Sequence, residues 1–345
     1  MKVRFFNPAK QYQEHKKEFD KAMQDVLGRG DLILRKDLEE FEKKFAKYIG
    51  TKYAVGVNSC TDALYICLRG LGVGRGDYVL VPSRTFVATV QVIVQVGATP
   101  IFYDLDGFTN GFDGKEYNIK AIIPVHIEGA FDKFFTDILK QAKKNKWHVI
   151  EDAAQALGAK KNNKMAGSYG IAGCFSFYPA KILGCFGDGG MITTNNKKLY
   201  EYARECRNHF KLTNTDWGVN SRLDNIQAAV LNVKFKYLKD ALRRREEIAQ
   251  MYHKDLNGIP DLVLPRAEKG RVWQDYIVET SKRDELFEYL KKEGIETMKN
   301  NYPFPVKKLP LAQNYEDSTL RLPCNETLAD NEIKYVINKV KQFYA

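Results

Sequence analysis

No CxxC pair occurs in this chain. Its six cysteines are spread from Cys60 to Cys324, so a zinc ribbon or a dithiol redox motif has nothing to start from. The thiols stand in apolar or helical surroundings, which predicts buried, unbridged side chains and no metal site. No apolar run is long enough to cross a bilayer, and the opening MKVRFFNPAK lacks the pattern of a secretory leader, which points to the cytoplasm. Repeats, low-complexity tracts and helix-turn-helix, zinc-finger or RNP-type signatures are absent too. That absence bears on the charge, because 54 Lys+Arg against 43 Asp+Glu leave a net +11. The basic residues fall in short clusters, such as Lys143, Lys144 and Lys146 or Arg243 to Arg245, and these read as solvated helix faces. The excess suits a small anionic ligand better than a nucleic-acid polymer.

What the sequence does contain is a rhythm. Short β-branched or apolar runs recur as YAVGV (53–57), DYVLV (77–81), TPIFYD (99–104), AIIPV (121–125) and WHVIED (147–152). Between them TDALYICLRGL, TFVATVQVIVQVG and FFTDILKQAKKNK each fit one helix, the βαβ alternation of a mostly parallel sheet covered on both faces. AGCFSF and GGMITT add two further strands, joined through the glycines between Gly184 and Gly190. A long helical pattern from Arg222 runs to Gly258 and Pro260. Beyond it a smaller α+β unit is expected, with WQDYIVET as a strand and DELFEYLKKEG and NEIKYVINKVKQF as helices. At 345 residues the chain exceeds the usual single core, and we expect a large domain over 1–244 and a small one over 245–345.

Ligands of such sheets sit at the carboxyl ends of the strands, and four of these places carry suggestive chemistry. Asn58-Ser59-Cys60-Thr61 opens a helix after the first strand, offering backbone N–H groups and hydroxyls to an anion, or else an ordinary N-cap. Phe86 follows the second strand, as a stacking face for a planar ligand or as plain core. Asp152 ends WHVIED, either as a carboxylate at the ligand edge or as a cap for the next helix. In FSFYPAKILGCFGDGGMITT (175–194), Ser176 and Lys181 flank Tyr178-Pro179 ahead of a glycine cluster that permits tight turns. An anion cradle, a stacking ring, a carboxylate and a lysine together make up the set that pyridoxal 5′-phosphate (PLP) requires. The lysine binds the aldehyde and moves protons, and a desolvated amine has a larger nucleophilic fraction. The carboxylate keeps the pyridine nitrogen protonated so that the ring can accept electrons.

Five ordered stretches, GTKYAVGVNSCTDAL, VPSRTFVAT, EDAAQALGA, FSFYPAKILGCFGDGGMITT and GVNSRLDNIQAAVL, resemble the sugar aminotransferases of the DegT/DnrJ/EryC1/StrS family. The resemblance spans nearly the whole chain. It implies an aspartate-aminotransferase-like α/β fold and a homodimer that shares its active sites across the interface. It makes Lys181 the covalent cofactor lysine and pairs Asp152 with the pyridine nitrogen. Gln155 would lie near the phenolic oxygen, and Phe86 would stack on the ring. Ser176, Thr61 and the Cys60 amide would bind the phosphate, and Asn220 would reach the phosphate of the neighbouring subunit. Two departures stand out: Cys60 replaces a usual glycine, and Glu128 in PVHIEGAFDKF takes the place of a common aromatic. Family members that lack the lysine and carry histidine instead perform dehydration, so Lys181 points to transamination.

Within the family, enzymes acting at sugar carbon 3 resemble FYPxKNLGxxGDGG around the lysine, and FYPAKILGCFGDGG follows that pattern. Enzymes acting at carbon 4 tend to show a histidine just before the lysine and a TTGEGG-like tail. The expected substrate is therefore a 3-keto nucleotide sugar, dTDP- or UDP-linked, with L-glutamate as donor; a 4-keto sugar is the alternative. Two readings of other classes compete with it. A dinucleotide-dependent oxidoreductase is suggested by GLGVGRGD (70–77), but those glycines precede a strand instead of following one. A catalytically idle scaffold serving regulation is countered by the presence of both Lys181 and Asp152. NNYPFPVKKLP (300–310) is expected to border the substrate.

Overall fold

Alternating strand and helix runs close into one large sheet in the computed structural model, which describes residues 1–107, 117–299 and 309–345. Its strands are β1 (Tyr53–Val57), β2 (Tyr78–Pro82), β3 (Thr99–Tyr103), β4 (Ile119–Ile122) and β5 (His148–Asp152). After a small hairpin of β6 (Lys160–Lys161) and β7 (Lys164–Met165) come β8 (Ala172–Ser176) and β9 (Gly190–Thr194). The order across the sheet is β1-β9-β8-β5-β4-β2-β3. Strand β9 runs antiparallel to both its neighbours, and every other neighbouring pair is parallel. The carboxyl ends of the six remaining strands therefore share one edge.

The side-chain period of two sorts the core. Val79 and Val81 join the cluster formed with helices Cys60–Gly70 and Val87–Gln95, whereas Leu80 between them joins Tyr103, Ile122 and helix Phe135–Asn145 on the other face. The AIIPV strand is shorter than expected. It ends at Ile122, because Pro124 has no N–H for a ladder, and Val125 returns only through a bridge with Asp152. The GLGVGRGD stretch is a helix stop and turn, with Gly72 and Gly76 at φ +68° and +90° ahead of β2.

The long helix forms as Asn225–Leu256, and from Ile248 onward its buried face belongs to a separate apolar cluster. That cluster packs a three-stranded antiparallel sheet, β10 (Tyr276–Glu279), β11 (Met298–Lys299) and β12 (Thr319–Leu322), in the order β10-β12-β11. Helices Arg283–Lys292 and Asp330–Tyr344 cover it. WQDYIVET contributes its strand only from Tyr276, which leaves Trp273, Gln274 and Asp275 outside the ladder. All six cysteines are buried and unbridged. Among the described residues no helix is long and apolar enough to cross a membrane, and no group of three His, Cys, Asp or Glu side chains could hold a metal ion.

Beneath the ligand edge lies a buried carboxylate. Glu151 accepts from the N–H groups of Gly167 (2.8 Å), Tyr169 (2.7 Å) and Gly170 (2.7 Å), and faces His126 Nε2 at 3.0 Å. The Asp132 N–H donates to His126 Nδ1, so Nε2 carries the proton shared with Glu151. Replacing Glu151 with alanine strands these donors in the interior. Chemical denaturation of Glu151→Ala should show a loss of about 3 kcal/mol or more; a loss of a few tenths would mean that the loop finds other acceptors.

Candidate functional site

The shared strand edge opens into a cavity of about 490 Å³. Seven of the eight residues singled out from the sequence line it: Cys60, Thr61, Phe86, Asp152, Gln155, Ser176 and Lys181. They arrive from the ends of β1, β2, β5 and β8, so the parallel topology alone collects them.

At one end of the cavity stands the start of helix Cys60–Gly70. Ser59 is its N-cap, accepting the Asp62 N–H at 3.1 Å through its hydroxyl. The cap reading holds, and it leaves the anion reading open, because the cap engages Asp62 while Cys60 and Thr61 line the cavity. Strand β9 runs so close to this turn that a Cβ at Gly190 would lie 2.3 Å from the Ser59 carbonyl carbon and 2.7 Å from the Cys60 nitrogen. The cradle therefore demands glycine at position 190. The Cys60 thiol lies 3.9 Å from Asp152, and burial followed by that carboxylate pushes its pKa well up, so it stays protonated.

Phe86 precedes helix Val87–Gln95, lines the cavity and is 50% exposed, which sets aside the plain-core reading. One turn later Thr89 donates to Asp152 Oδ2 at 2.8 Å, and Thr85 lies 2.8 Å from the same hydroxyl. Asp152 also accepts the Ala154 N–H at 3.2 Å, but turns and no helix follow β5, so the reading of Asp152 as a cap for the next helix does not hold. Burial is the largest influence on its carboxyl and pushes the pKa up; Thr89, Ala154, Lys181 and His126 pull it back.

Lys181 sits on a tight turn in which its N–H donates to the Tyr178 carbonyl at 2.9 Å. A Cβ at Gly184 would come within 2.3 Å of the Pro179 carbonyl oxygen, so the following chain presses against this turn. The lysine keeps some exposure to the cavity, yet desolvation by the surrounding protein dominates and pushes its amine below the usual lysine value. Asp275 and Asp152 oppose that shift, and Arg321 adds to it. Gln155 accepts the Glu128 N–H at 2.8 Å.

Asn220 does not line the cavity. It is exposed on the surface, next to Ser221, whose hydroxyl donates to Asp62 at 2.7 Å beside the helix start. Glu128 is buried in a left-handed conformation (φ 60°) with its carboxylate paired to Arg84. Of NNYPFPVKKLP, residues 300–308 lie outside the described residues.

Sequence reasoning passed over Thr89, Gln274, Asp275 and Arg321, all of which line the cavity. Thr89 carried a signal, since it stands three positions after Phe86, in the first turn of the helix that Phe86 precedes. A charge inside the apolar run Leu320-Arg321-Leu322 was the other.

This donor set fits a flat, phosphate-bearing aldehyde. It offers helix amides and hydroxyls for the anion, a half-exposed ring face, a buried carboxylate for a ring nitrogen and an amine for the aldehyde carbon. Comparison with known proteins gives the chain's relatives. The chain matches the DegT/DnrJ/EryC1/StrS aminotransferase family over residues 13–341. A dTDP-3-amino-3,6-dideoxy-alpha-D-galactopyranose transaminase of Aneurinibacillus thermoaerophilus is 38% identical, across 95% of this chain and 96% of the relative. A pleiotropic regulatory protein of Geobacillus stearothermophilus is 37% identical across 100% and 99%. The crystal structure of DesV from S. venezuelae superposes with a TM-score of 0.91 at 35% identity, covering 99% of this chain and 98% of that one.

Because the folded protein binds a proton at Asp152 more tightly than the unfolded chain does, ionising it costs stability. That cost is absent below the ordinary carboxylate range and complete once pH has risen past the raised value. Thermal melts of the cofactor-free protein across a pH series should therefore show Asp152→Asn equal to or more stable than wild type near neutrality, with the gap closing as pH falls toward 4. A variant clearly less stable at neutral pH would mean that the carboxylate is stabilised by its neighbours overall.

Proposed function

This chain belongs to the DegT/DnrJ/EryC1/StrS aminotransferase family and is an aminotransferase dependent on PLP; we propose that it moves the amino group of L-glutamate onto the 3-keto carbon of a nucleotide sugar. One observation carries the reading of the site. Lys181 and Asp152 line the same cavity as a helix start and a half-exposed aromatic face. When bound, PLP supplies an electron sink for the carbanion formed at the donor's α-carbon.

The chain's residues divide the remaining work. Lys181 would hold the aldehyde carbon covalently, and its desolvated amine is the base that takes the donor's α-proton and the acid that returns a proton to the acceptor carbon. Asp152, fixed by Thr89, would hold the pyridine nitrogen protonated. Phe86 would cover one face of the ring. The Cys60 amide, Thr61 and Ser176 would bind the phosphate, with the positive end of the helix directed at it. Since the Gln155 oxygen is taken by the Glu128 N–H, its NH2 is the donor for the phenolic oxygen.

We assign residues 1–244 and 245–345 to two domains, supported by the separate apolar cluster that the long helix enters at Ile248, although Val3 from the start of the chain packs in that cluster too and bridges to Ile295. We also propose a homodimer in which Asn220 serves the partner's phosphate. Its exposure outside its own cavity supports this, as do Leu212 and Trp217 nearby, 86% and 87% exposed. Carbon 3 is favoured by FYPAKILGCFGDGG, and the net charge of +11 suits a diphosphate-linked sugar.

The deciding experiment is an absorption spectrum with added PLP, before and after excess glutamate. Wild type should gain a visible band that glutamate converts to a near-ultraviolet one, and Lys181→Ala should give no such band. A 3-keto nucleotide sugar should restore the visible band and yield a 3-amino product by NMR. Restoration by a 4-keto sugar alone would move amination to carbon 4, and no band at all would bring the idle, regulatory reading forward. For the dimer, mixing unfolded Lys181→Ala with Asn220→Ala and refolding should recover up to a quarter of wild-type turnover, because one site of each hybrid is intact; no recovery would leave each subunit self-sufficient.

A further inference from the structure

Gln274, from the chain just before β10, grips the lysine turn on both sides. Its Nε2 donates to the Ala180 carbonyl at 3.0 Å and its Oε1 accepts the Ile182 N–H at 3.1 Å. Those two backbone groups flank Lys181. Gln274 is buried and is itself anchored, since the buried Arg245 guanidinium donates to its carbonyl at 3.0 Å and to that of Trp273 at 3.1 Å. Arg245 is in turn held by Glu326 at 2.8 Å. The next residue, Asp275, is buried and ion-paired with Arg321 of β12 at 3.1 Å, and both line the cavity.

We propose that Gln274 and Asp275 are positioning residues for Lys181. Gln274 fixes the backbone at 180 and 182, and Asp275, itself held by Arg321, supplies the counter-charge to the amine. The inference rests on the reading that Lys181 carries the cofactor. The physical need is plain, because a lysine has a flexible four-carbon stem and a small error at its backbone grows toward the nitrogen. A misplacement of about 1 Å can cost on the order of a hundredfold in rate. A glutamine matches the geometry because its amide end offers one donor and one acceptor side by side, as the peptide groups around Lys181 require.

The charges divide in a way that can be tested. The groups acting on the Lys181 amine are Asp275 and Arg321 from the small sheet, Asp152 from the end of β5 and Cys60 from the helix start. Burial drives the amine down most strongly, Asp275 resists more than Asp152 does, and Arg321 reinforces burial. Neutralising Asp275 would remove the strongest of the charges that oppose burial at the Lys181 amine. The small sheet thus reaches the nucleophile both through the backbone and through charge.

The test measures Lys181 itself. In cofactor-free protein, acylation of its amine by acetic anhydride is followed against pH and read on the Lys181 peptide by mass spectrometry. Capture of PLP is followed as the growth of the visible band and as borohydride-fixed mass on the same peptide. Gln274→Met keeps the length and removes both hydrogen bonds; it should melt within a few degrees of wild type yet capture PLP at least about tenfold more slowly. Gln274→Glu, which keeps the acceptor but sets a carboxylate oxygen against the Ala180 carbonyl, should be equally slow. Asp275→Asn should lower the acylation midpoint by about one pH unit or more. Wild-type capture rates in both Gln274 variants, or an unmoved midpoint in Asp275→Asn, would overturn the proposal. A wild-type protein that never captures PLP overturns the preceding reading instead, while the acylation midpoint still decides this one.

Discussion

Everything at this site turns on keeping an amine out of bulk water without letting its surroundings fix its charge. A lysine in contact with solvent is protonated and inert as a nucleophile, and a lysine sealed beside a carboxylate is protonated and inert too. Here burial pushes the Lys181 amine down while Asp275 and Asp152 push it up, and Arg321 answers Asp275. Asp152 faces the mirror problem, raised by burial and lowered by Thr89, Ala154, Lys181 and His126. On both groups burial and neighbouring charge thus act in opposite senses.

The sheet supplies that balance almost as a by-product of topology. Six strands pointing the same way bring Cys60, Phe86, Asp152 and Ser176 to one edge, although they are far apart in sequence. The single reversed strand, β9, matters as much. Entering antiparallel, it carries the chain back from the Lys181 turn, and Gly190 lets it press against Ser59 and Cys60. The chain that leaves the Lys181 turn therefore packs directly against the helix start at Ser59 and Cys60.

How much of this could be read beforehand follows from where each signal resides. YAVGV is the strand β1 residue for residue, because its apolar run is bounded by turn-forming neighbours and needs no partner to be recognised. Asp152 was readable because it ends an apolar strand, and Lys181 because it stands alone among aromatic, small and turn-forming residues soon after one. AIIPV was overextended because Pro124 ends the ladder before the apolar run ends. Strand β12 went unread because Arg321 interrupts its apolar pattern, and that buried guanidinium pairs with Asp275, a residue from another strand's approach. Gln274 could not be found at all. Its partners are backbone groups at 180 and 182, which leave no trace in side-chain pattern.

Glu128 shows how a departure from the usual residue is absorbed. A buried carboxylate where an aromatic is common would be costly alone. Here Arg84 pairs with it, the Tyr315 ring lies 3.9 Å from the Arg84 guanidinium, and the Tyr315 hydroxyl donates to Glu128 at 3.4 Å. Arg271 donates to the Glu128 carbonyl at 3.1 Å, so three segments converge on one residue. This bears on the cavity because the Glu128 N–H is given to Gln155 at 2.8 Å. The left-handed turn at Glu128 sets where that N–H points, and so which end of the Gln155 amide faces the cavity. Replacing the aromatic therefore changes more than the lining of a neighbouring hollow. Through one backbone hydrogen bond, the ion pair beyond the cavity wall becomes part of how the ring's oxygen would be met.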